Sequence, residues 1–361
     1  MRIARSSRRA AAATVAVAGL LTAASVAATG GARHVAAVAY LPGITCANST
    51  SCVAVGGNAV IPVRAGRPGR LRTVTDRIFL EAVSCLDATT CIAVGQATGG
   101  YPPADSGPTA GKPPPVAPPE GVIVRLTDGV PQSPRVIPGT TGLDGVACAS
   151  ATSCVAVGGF DRTLKSLSEY HPDVSHDRGV VVPVTAGSPG EPIDLRATSA
   201  LGSVACAEAH CLAVGDAGHN LGSGVIVLLS GETVGSERIG GAALSGVACP
   251  NSRNCIAVGG NNDGFIEPVD NGIPGRQRRT SSGPLVGVSC VNTNLCYAVG
   301  GTTGRNGGQI VPVLDGHLRA ARNVADTTFL AGVSCLPTGH CVASGGDARG
   351  RGHENGAIFQ F

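Results

Sequence analysis

The stretch VACASATSCVAVGG, residues 146–159, places Cys148 and Cys154 six positions apart between runs of small and β-branched residues. Related copies of this core occur seven times, with first cysteines at positions 46, 85, 148, 206, 249, 290 and 335. Valine, isoleucine and threonine favour strands, and self-similarity at a period of tens of residues is typical of repeat architectures. The repeat therefore decides the fold class before any single residue is considered.

Four extended segments fill each repeat unit. Around Cys148 they are A (Gly145–Cys148), B (Cys154–Gly158), C (Gly179–Val184) and D (Pro192–Arg196). Four short strands in a unit of about 40 residues are typical of a propeller blade, whereas solenoid coils of this period are usually shorter or helical. No window shows apolar residues at helical spacing. The sequence predicts an all-β, seven-bladed β-propeller with four strands per blade.

The two ends of the chain complement each other. The last unit stops after its segment C at Phe361, while a D-like segment, Arg33–Val38, precedes the first core. A ring in which this N-terminal strand closes the last blade would remove open sheet edges, which otherwise invite aggregation. We therefore expect ring closure by the N-terminal strand.

The cysteine pairs are interpreted as disulfides across each A–B hairpin, because four or five intervening residues match a hairpin loop. Structural zinc needs four ligands, and a catalytic dithiol normally has a two-residue spacer. All 14 cysteines fall into such pairs, which are Cys46–Cys52, Cys85–Cys91, Cys148–Cys154, Cys206–Cys211, Cys249–Cys255, Cys290–Cys296 and Cys335–Cys341.

The double glycine that closes segment B, as in CVAVGG, resembles the kelch family of β-propellers. The resemblance covers that one strand of each unit and implies the shared fold only, because the Tyr and Trp that follow in kelch repeats are missing. The Trp-Asp pair of WD repeats and the Asp-box of sialidases are absent, since the chain has no Trp. The cysteine-stapled core itself resembles uncharacterised secreted bacterial propeller proteins.

The N-terminus is interpreted as a signal peptide, residues 1–28, because four arginines precede an Ala/Val/Leu-rich segment and small residues. An uncleaved anchor is the alternative, and Arg8-Arg9 is a weak twin-arginine signal. Cleavage would leave residues 29–361 as one propeller domain with 23 basic and 24 acidic residues. This balance argues against nucleic-acid binding, and the basic run 275–283 is interpreted as a solvated loop.

Prolines fall within segment C at Pro62, Pro183, Pro268 and Pro312. Proline cannot donate a ladder hydrogen bond and is expected at edges, ends or bulges. We therefore expect segment C to end close to the proline and segment D to pair irregularly.

Two insertions, residues 96–120 and 160–179, lie between segments B and C of the second and third units. Both should emerge on the propeller face that carries the B–C and D–A connections. Loops on a rigid scaffold are where binding residues usually sit. The candidate binding residues are Tyr101, Tyr170, His171, Asp173 and His176. The alternative is that both insertions are tolerated without a role.

The second insertion contains a cluster of acidic and histidine residues, the only group in the sequence that resembles a metal or acid–base site. Its members are Asp161, Glu169, His171, Asp173, His176 and Asp177. These side chains suit a divalent cation, but their spacing fixes no geometry, and a polar surface loop is the alternative. The sequence therefore assigns no metal, no cofactor and no catalytic residue.

Three classes of function remain. The favoured one is a secreted, monomeric scaffold, extracellular or in the cell envelope, that binds a protein or an envelope polymer. An extracellular hydrolase or lyase acting on polysaccharide is second. It would need paired carboxylates or a His–acid pair, which we expect only the 160–179 loop to offer. A lectin-like module is third, because sugar platforms usually use Trp or Tyr.

Overall fold

The computed structural model describes residues 31–98, 118–161, 177–196, 198–217, 222–230, 233–303, 307–347 and 355–361. Within these ranges the regular elements are 33 β-strands and no helix. The predicted all-β class is therefore confirmed. Nor do the described ranges contain any apolar helix of membrane-spanning length.

The strands follow the predicted repeat in chain order. β1 (Arg33–Val35) precedes the first unit, which holds β2 (Gly43–Asn48), β3 (Ser51–Gly56), β4 (Ala59–Arg64), β5 (Arg67–Pro68) and β6 (Arg72–Thr73). The second holds β7 (Ile78–Cys85), β8 (Thr90–Ala97), β9 (Glu120–Thr127), β10 (Val130–Pro131) and β11 (Arg135–Ile137). The third holds β12 (Gly142–Cys148), β13 (Ser153–Asp161), β14 (Asp177–Thr185), β15 (Ser188–Pro189) and β16 (Ile193–Leu195).

The remaining units continue the pattern. The fourth holds β17 (Thr198–Ala207), β18 (His210–Ala217), β19 (Ser223–Ser230) and β20 (Thr233–Ala242). The fifth holds β21 (Leu244–Ala248), β22 (Asn254–Gly259), β23 (Phe265–Asp270), β24 (Ile273–Pro274) and β25 (Arg278–Arg279). The sixth holds β26 (Leu285–Cys290), β27 (Leu295–Gly301), β28 (Gly308–Leu314), β29 (His317–Leu318) and β30 (Arg322–Val324), and the last holds β31 (Thr327–Cys335), β32 (Cys341–Asp347) and β33 (Asn355–Gln360).

Each unit is an antiparallel sheet in the order A-B-C-D. In the third unit, Ala156 of segment B lies opposite Val146 of segment A and Val182 of segment C. Segment D then pairs with the far edge of segment C, where Ile193 lies opposite Val181. The last unit takes its fourth strand from the other end of the chain, because β1 pairs with β33.

The outer segment D is irregular, as predicted, but proline alone does not account for this, because the second unit has Arg125 at the equivalent position and its segment D is split as well. Pro62, Pro183, Pro268 and Pro312 each lie two residues before the end of their strand, and segment D is split into two short pieces in all four of these units. Each proline carbonyl accepts a hydrogen bond from the N–H at the break, which belongs to Gly69, Gly190, Gly275 or Arg319 respectively. The fourth unit has Leu228 instead of proline, and its segment D is the single strand β20.

The hydrophobic core lies between consecutive units. One cluster joins Val157 and Val181 of the third unit with Val204 and Val225 of the fourth. Another joins the first unit to the last, since Ile44 and Ile61 pack with Val342 and Ile358. Valine, isoleucine and leucine dominate these clusters, and the second cysteine of each pair is buried. Sheet-to-sheet packing of small side chains brings neighbouring backbones close together.

The first glycine of the double-glycine motif, which closes segment B, lies very close to the main chain of segment A. A Cβ atom on Gly158 would collide with the main-chain oxygen of Gly142. The same collision would occur between Gly56 and Tyr40, Gly95 and Phe79, Gly215 and Ala200, Gly259 and Ala243, Gly300 and Pro284, and Gly345 and Phe329. The next position carries no such constraint in every unit, because Gln96 and Asp216 replace glycine there. Only the first glycine of the motif is required by the same steric collision in every unit.

All 14 cysteines form the predicted disulfides within their own units. The paired Cα atoms lie 3.8 to 4.1 Å apart, directly across the A–B hairpins. The A–B turns are further fixed by their own side chains. Asn48, Asp87, Ser150, Asn251 and Asn292 each accept hydrogen bonds from main-chain N–H groups two or three residues ahead. Seven intrachain disulfides indicate a non-reducing, extracellular environment.

Candidate functional site

The insertions emerge where the sequence predicted, between segments B and C. The second unit is interrupted between the end of β8 at Ala97 and the start of β9 at Glu120, and the third between Asp161 and Asp177. The five candidate binding residues, Tyr101, Tyr170, His171, Asp173 and His176, lie outside the described residues, as do Glu169 and the predicted signal peptide, residues 1–28. Their role stays a prediction.

A cavity of about 400 Å³ lies where the innermost strands of all the units meet. We call it the central cavity. Its walls come from segment A of each unit and consist mainly of glycine, alanine, serine and valine, with Tyr40 and Phe329 as the aromatic members. The small residues are needed because the strands approach closely. A Cβ on Gly145, for example, would lie 3.0 Å from the Cα of Ser203 in the next unit.

In every unit after the first, a bulge in segment A turns one residue toward this cavity. The register of segments A and B shifts just before the residue that precedes the cysteine by three positions, as between Leu80 and Ala82 or between Leu143 and Gly145. A bulge re-aims the extra side chain, so this position lines the cavity. It is occupied in successive units by Pro42, Glu81, Asp144, Gly202, Ser245, Val286 and Ala331.

Glu81 and Asp144 are the only charged members of the described residues that line the central cavity. Burial in the cavity wall, together with the negative charge of Asp144, raises the pKa of Glu81 from 4.5 to about 7. Burial raises the pKa of Asp144 from 3.8 to about 6, although solvent inside the cavity still reaches its side chain. The fold therefore brings together two carboxyl groups that take up protons at higher pH than usual, Glu81 near neutral pH and Asp144 in mild acid.

This carboxyl pair corrects one expectation. Paired carboxylates were expected only from the 160–179 loop, and that expectation is wrong. Glu81 in LEAVSC and Asp144 in LDGVAC each stand four residues before the first cysteine of their unit. Aligning the seven copies at this position would have shown two acids among uncharged residues. The signal was present in the repeat, but nothing in it revealed that this position faces a cavity.

A second cavity of about 480 Å³, which we call the side groove, opens beside the central cavity. Its described lining comes from residues 37–42, 56–59 and 76–81, and it shares Tyr40, Pro42 and Glu81 with the central cavity. Phe79 in its wall is 45% exposed, more than the other aromatic residues that the structure describes. The groove thus combines an exposed ring with the polar side chains of Asn58, Asp76 and Arg77.

Backbone hydrogen bonds tie the side groove to the first insertion. The N–H of Thr98, the last described residue before the 99–117 segment, donates to the carbonyl of Arg77 at 2.8 Å. The N–H of Leu80 donates to the carbonyl of Gly57 at 2.7 Å, which joins the first two units at this rim. The groove therefore lies on the face that carries the B–C and D–A connections.

The polar residues that follow segment B in several units lie in different surroundings. Asp347 is fully buried and contacts His34 of β1, with 2.6 Å between Oδ2 and Nδ1. Asp216 is half-buried, and burial raises its pKa, while Asp263 is exposed. Asn58 contributes its main-chain carbonyl to the N–H of Val74. Among the described residues, no three His, Cys, Asp or Glu side chains converge as a metal site requires.

No protein-family model matches the chain, and no curated protein matches its sequence. Solved structures match its fold over most of its length. The structure of U3-55K is 10% identical and has a TM-score of 0.62, covering 92% of this chain and 98% of its own. The fold is a β-propeller.

The propeller is also similar to other WD40 structures. The WD40 β-propeller domain of Doa1 is 12% identical, has a TM-score of 0.59 and covers 91% of this chain and 96% of its own. The RRP9 WD40 repeats are 10% identical, have a TM-score of 0.60 and cover 91% of this chain and all of their own. At this identity the likeness concerns the fold alone. It arises although the chain lacks the Trp of the WD signature, because small apolar clusters and disulfides occupy the space between its sheets.

Proposed function

We propose that this propeller is a secreted scaffold that binds a protein or an envelope polymer through the face carrying the B–C and D–A connections. The observation that carries the proposal is the side groove, which exposes Phe79 beside the point where the first insertion leaves the sheet. Exposed aromatic residues in concave, mixed-polarity surfaces are typical of interaction sites. The opposite face carries the A–B turns, which are linked by disulfides and hold hydrogen bonds to their own main chain.

The binding experiment places a photo-crosslinking residue at position 79, with a matched control at Ile273, which is 55% exposed on the outer edge of the fifth unit. Partners from envelope extracts should crosslink at position 79 and not at 273. Shortening the insertions 96–120 and 160–179 should then remove them. Equal capture at both positions, or loss only after changes to the A–B hairpins, would contradict the proposal.

We also propose that the seven units are blades of a closed ring, with the N-terminal strand completing the last blade. Three contacts support closure. β1 pairs with β33, His34 contacts Asp347, and the N–H of Cys46 donates to Ser334 Oγ at 3.0 Å. Deleting residues 29–40 should expose the edge of β33 and promote aggregation. A truncated protein that stayed monomeric with unchanged thermal stability would refute the closing strand.

The same proposal includes export from a bacterial cell, cleavage near residue 28 and a monomeric mature chain in the extracellular space or envelope. The disulfides support the oxidising destination. The kelch-like Gly-Gly motif stays a local resemblance, because its first glycine has a steric cause within each blade. N-terminal sequencing of the secreted protein tests the cleavage site.

A hydrolase or lyase acting on polysaccharide is the second candidate, and the Glu81–Asp144 pair is the observation that favours it. Two carboxyl groups with different raised pKa values are the arrangement that acid–base cleavage of glycosidic bonds uses. Incubation with envelope polysaccharides should release reducing ends, and Glu81→Gln should abolish the release. If both proteins leave the polymers intact, this second candidate falls and the binding scaffold remains.

A further inference from the structure

The central cavity contains a pair of acids at matching positions of two neighbouring strands, and no basic side chain is among its described lining residues. Glu81 on β7 and Asp144 on β12 occupy the same bulge in the second and third units. The two strands are held together close by, since the N–H of Cys148 donates to Ser84 Oγ at 3.2 Å. Glu81 lies three residues before Ser84, and Asp144 lies four residues before Cys148. The two carboxyl groups therefore face the cavity at nearly the same height.

The surroundings of the pair contain little that would offset its charge. Tyr40 is the only other titratable group among the described residues of the central cavity. On the groove side, Asp76 and Arg77 line the wall near Glu81. Neither contributes to the shift of Glu81, whose pKa is raised by burial first and by the charge of Asp144 second. The repulsion between two like charges on one cavity wall is relieved when one or both carboxyl groups take up a proton.

We propose that Glu81 and Asp144 form a proton-binding pair at the centre of the propeller, which makes the fold more stable in mild acid than at alkaline pH. The proposal is independent of the partner and of the binding face. It concerns the packing of the second unit against the third, because the two carboxyl groups belong to the strands that meet there.

The direction of the effect follows from proton linkage. Both pKa values are higher in the folded protein than in ordinary carboxyl groups, at about 7 against 4.5 for Glu81 and about 6 against 3.8 for Asp144. The folded state therefore binds protons more tightly than the unfolded chain. The resulting stabilisation is complete below about pH 4, where both states are protonated, and it is lost as pH rises through 6 and 7.

The test compares denaturant unfolding of the full chain, with disulfides intact, between pH 5.5 and pH 8. The unfolding equilibrium constant of the wild type should be at least about tenfold smaller at pH 5.5. The double variant Glu81→Gln, Asp144→Asn keeps the shape of the protonated pair, so it should fold at both pH values and lose most of this dependence. Glu191→Gln, at an exposed carboxyl group in the third unit, is the matched control and should retain it.

The comparison with the double variant is necessary because burial also raises the pKa of Asp216, Glu237 and Glu267. These groups add a pH dependence of the same sign, which both proteins share. A potentiometric difference titration of the folded wild type against the double variant reports the pair directly. It should show about two extra protons released between pH 5 and 8. Identical pH dependence in both proteins, or carboxyl titration near pH 4, would overturn the proposal.

Discussion

The inner half of each unit, segments A and B, differs from the outer half, segments C and D, in how far its sequence is constrained. In the inner half, a disulfide, a colliding glycine and a bulge recur at fixed positions around the central cavity. The outer half tolerates proline, split strands and, in the fourth unit, one continuous strand. Strands at the centre pack on both sides, whereas the outer strand has a free edge, so only the inner half must keep one geometry.

This difference has a consequence for identifying functional residues. In the outer half, a departure from the repeat means little, because many residues fit there. In the inner half, a residue that differs from the repeat must fit among closely packed neighbours. Such a difference is therefore more informative about function or stability. Glu81, Asp144 and Ser344 are three such departures. The first two form the proton-binding pair proposed above. The third, Ser344, has a buried hydroxyl group without a hydrogen-bond partner.

The largest effect is expected from adding one carbon to the inner half. Gly158→Ala should destabilise the propeller by about 3 kcal/mol, because the new Cβ meets the main-chain oxygen of Gly142, which cannot move without shifting segment A. Denaturant unfolding of the full chain, with its disulfides intact, measures the loss. Gly139→Ala is the matched control with no atom near its Cβ position, and it should cost less despite its positive φ of 79°. Equal losses would show that the collision is relieved locally.

A smaller effect of opposite sign is expected at an inner position that departs from the repeat. Ser344 is fully buried, its hydroxyl has no hydrogen-bond partner, and the equivalent residues are Val55, Val94, Val157, Val214, Val258 and Val299. Ser344→Val should stabilise the fold by about 1 kcal/mol, because it removes an unsatisfied polar atom and fills the space as valine does elsewhere.

The reverse change, Val299→Ser in the neighbouring sixth unit, is the control for Ser344→Val and should destabilise by at least as much. Thermal unfolding of both variants measures the two changes. A loss of stability in Ser344→Val would show that the last unit, which is assembled from both ends of the chain, packs differently from the others.

The smallest effect is expected in the outer half. Pro183→Ala should change the free energy of unfolding by about 0.5 kcal/mol or less, because segment D already breaks opposite this residue and leaves no ladder bond to restore. Leu228→Pro in the fourth unit should cost more, because the partly buried leucine side chain packs against the core cluster between the fourth and fifth units, although the β19–β20 pairing also shifts register here. Chemical unfolding measures the change in stability of both variants. A larger loss in Pro183→Ala than in Leu228→Pro would contradict this prediction.

The features that the sequence predicted correctly are local ones. Disulfide partners lie five or six residues apart, and the A–B hairpin, the proline breaks and the strand order follow from short-range pattern. The pairing of β1 with β33 also agrees with the repeat, which shows the segment that the last unit lacks, while closure of the ring stays a proposal. The candidate binding residues in the insertions could not be placed by pattern, since loops carry no periodicity.

What only the tertiary structure decided is which residues of different units meet. Glu81 and Asp144 stand in separate units of the chain, and their proximity depends on the bulge that turns them inward and on the packing of β7 against β12. The collision behind each first glycine and the side groove around Phe79 likewise involve the backbones of paired segments or neighbouring units. Local propensity and pairing set the strands, but the distance between units is set by close packing of side chains across the sheets, which no short stretch of sequence contains.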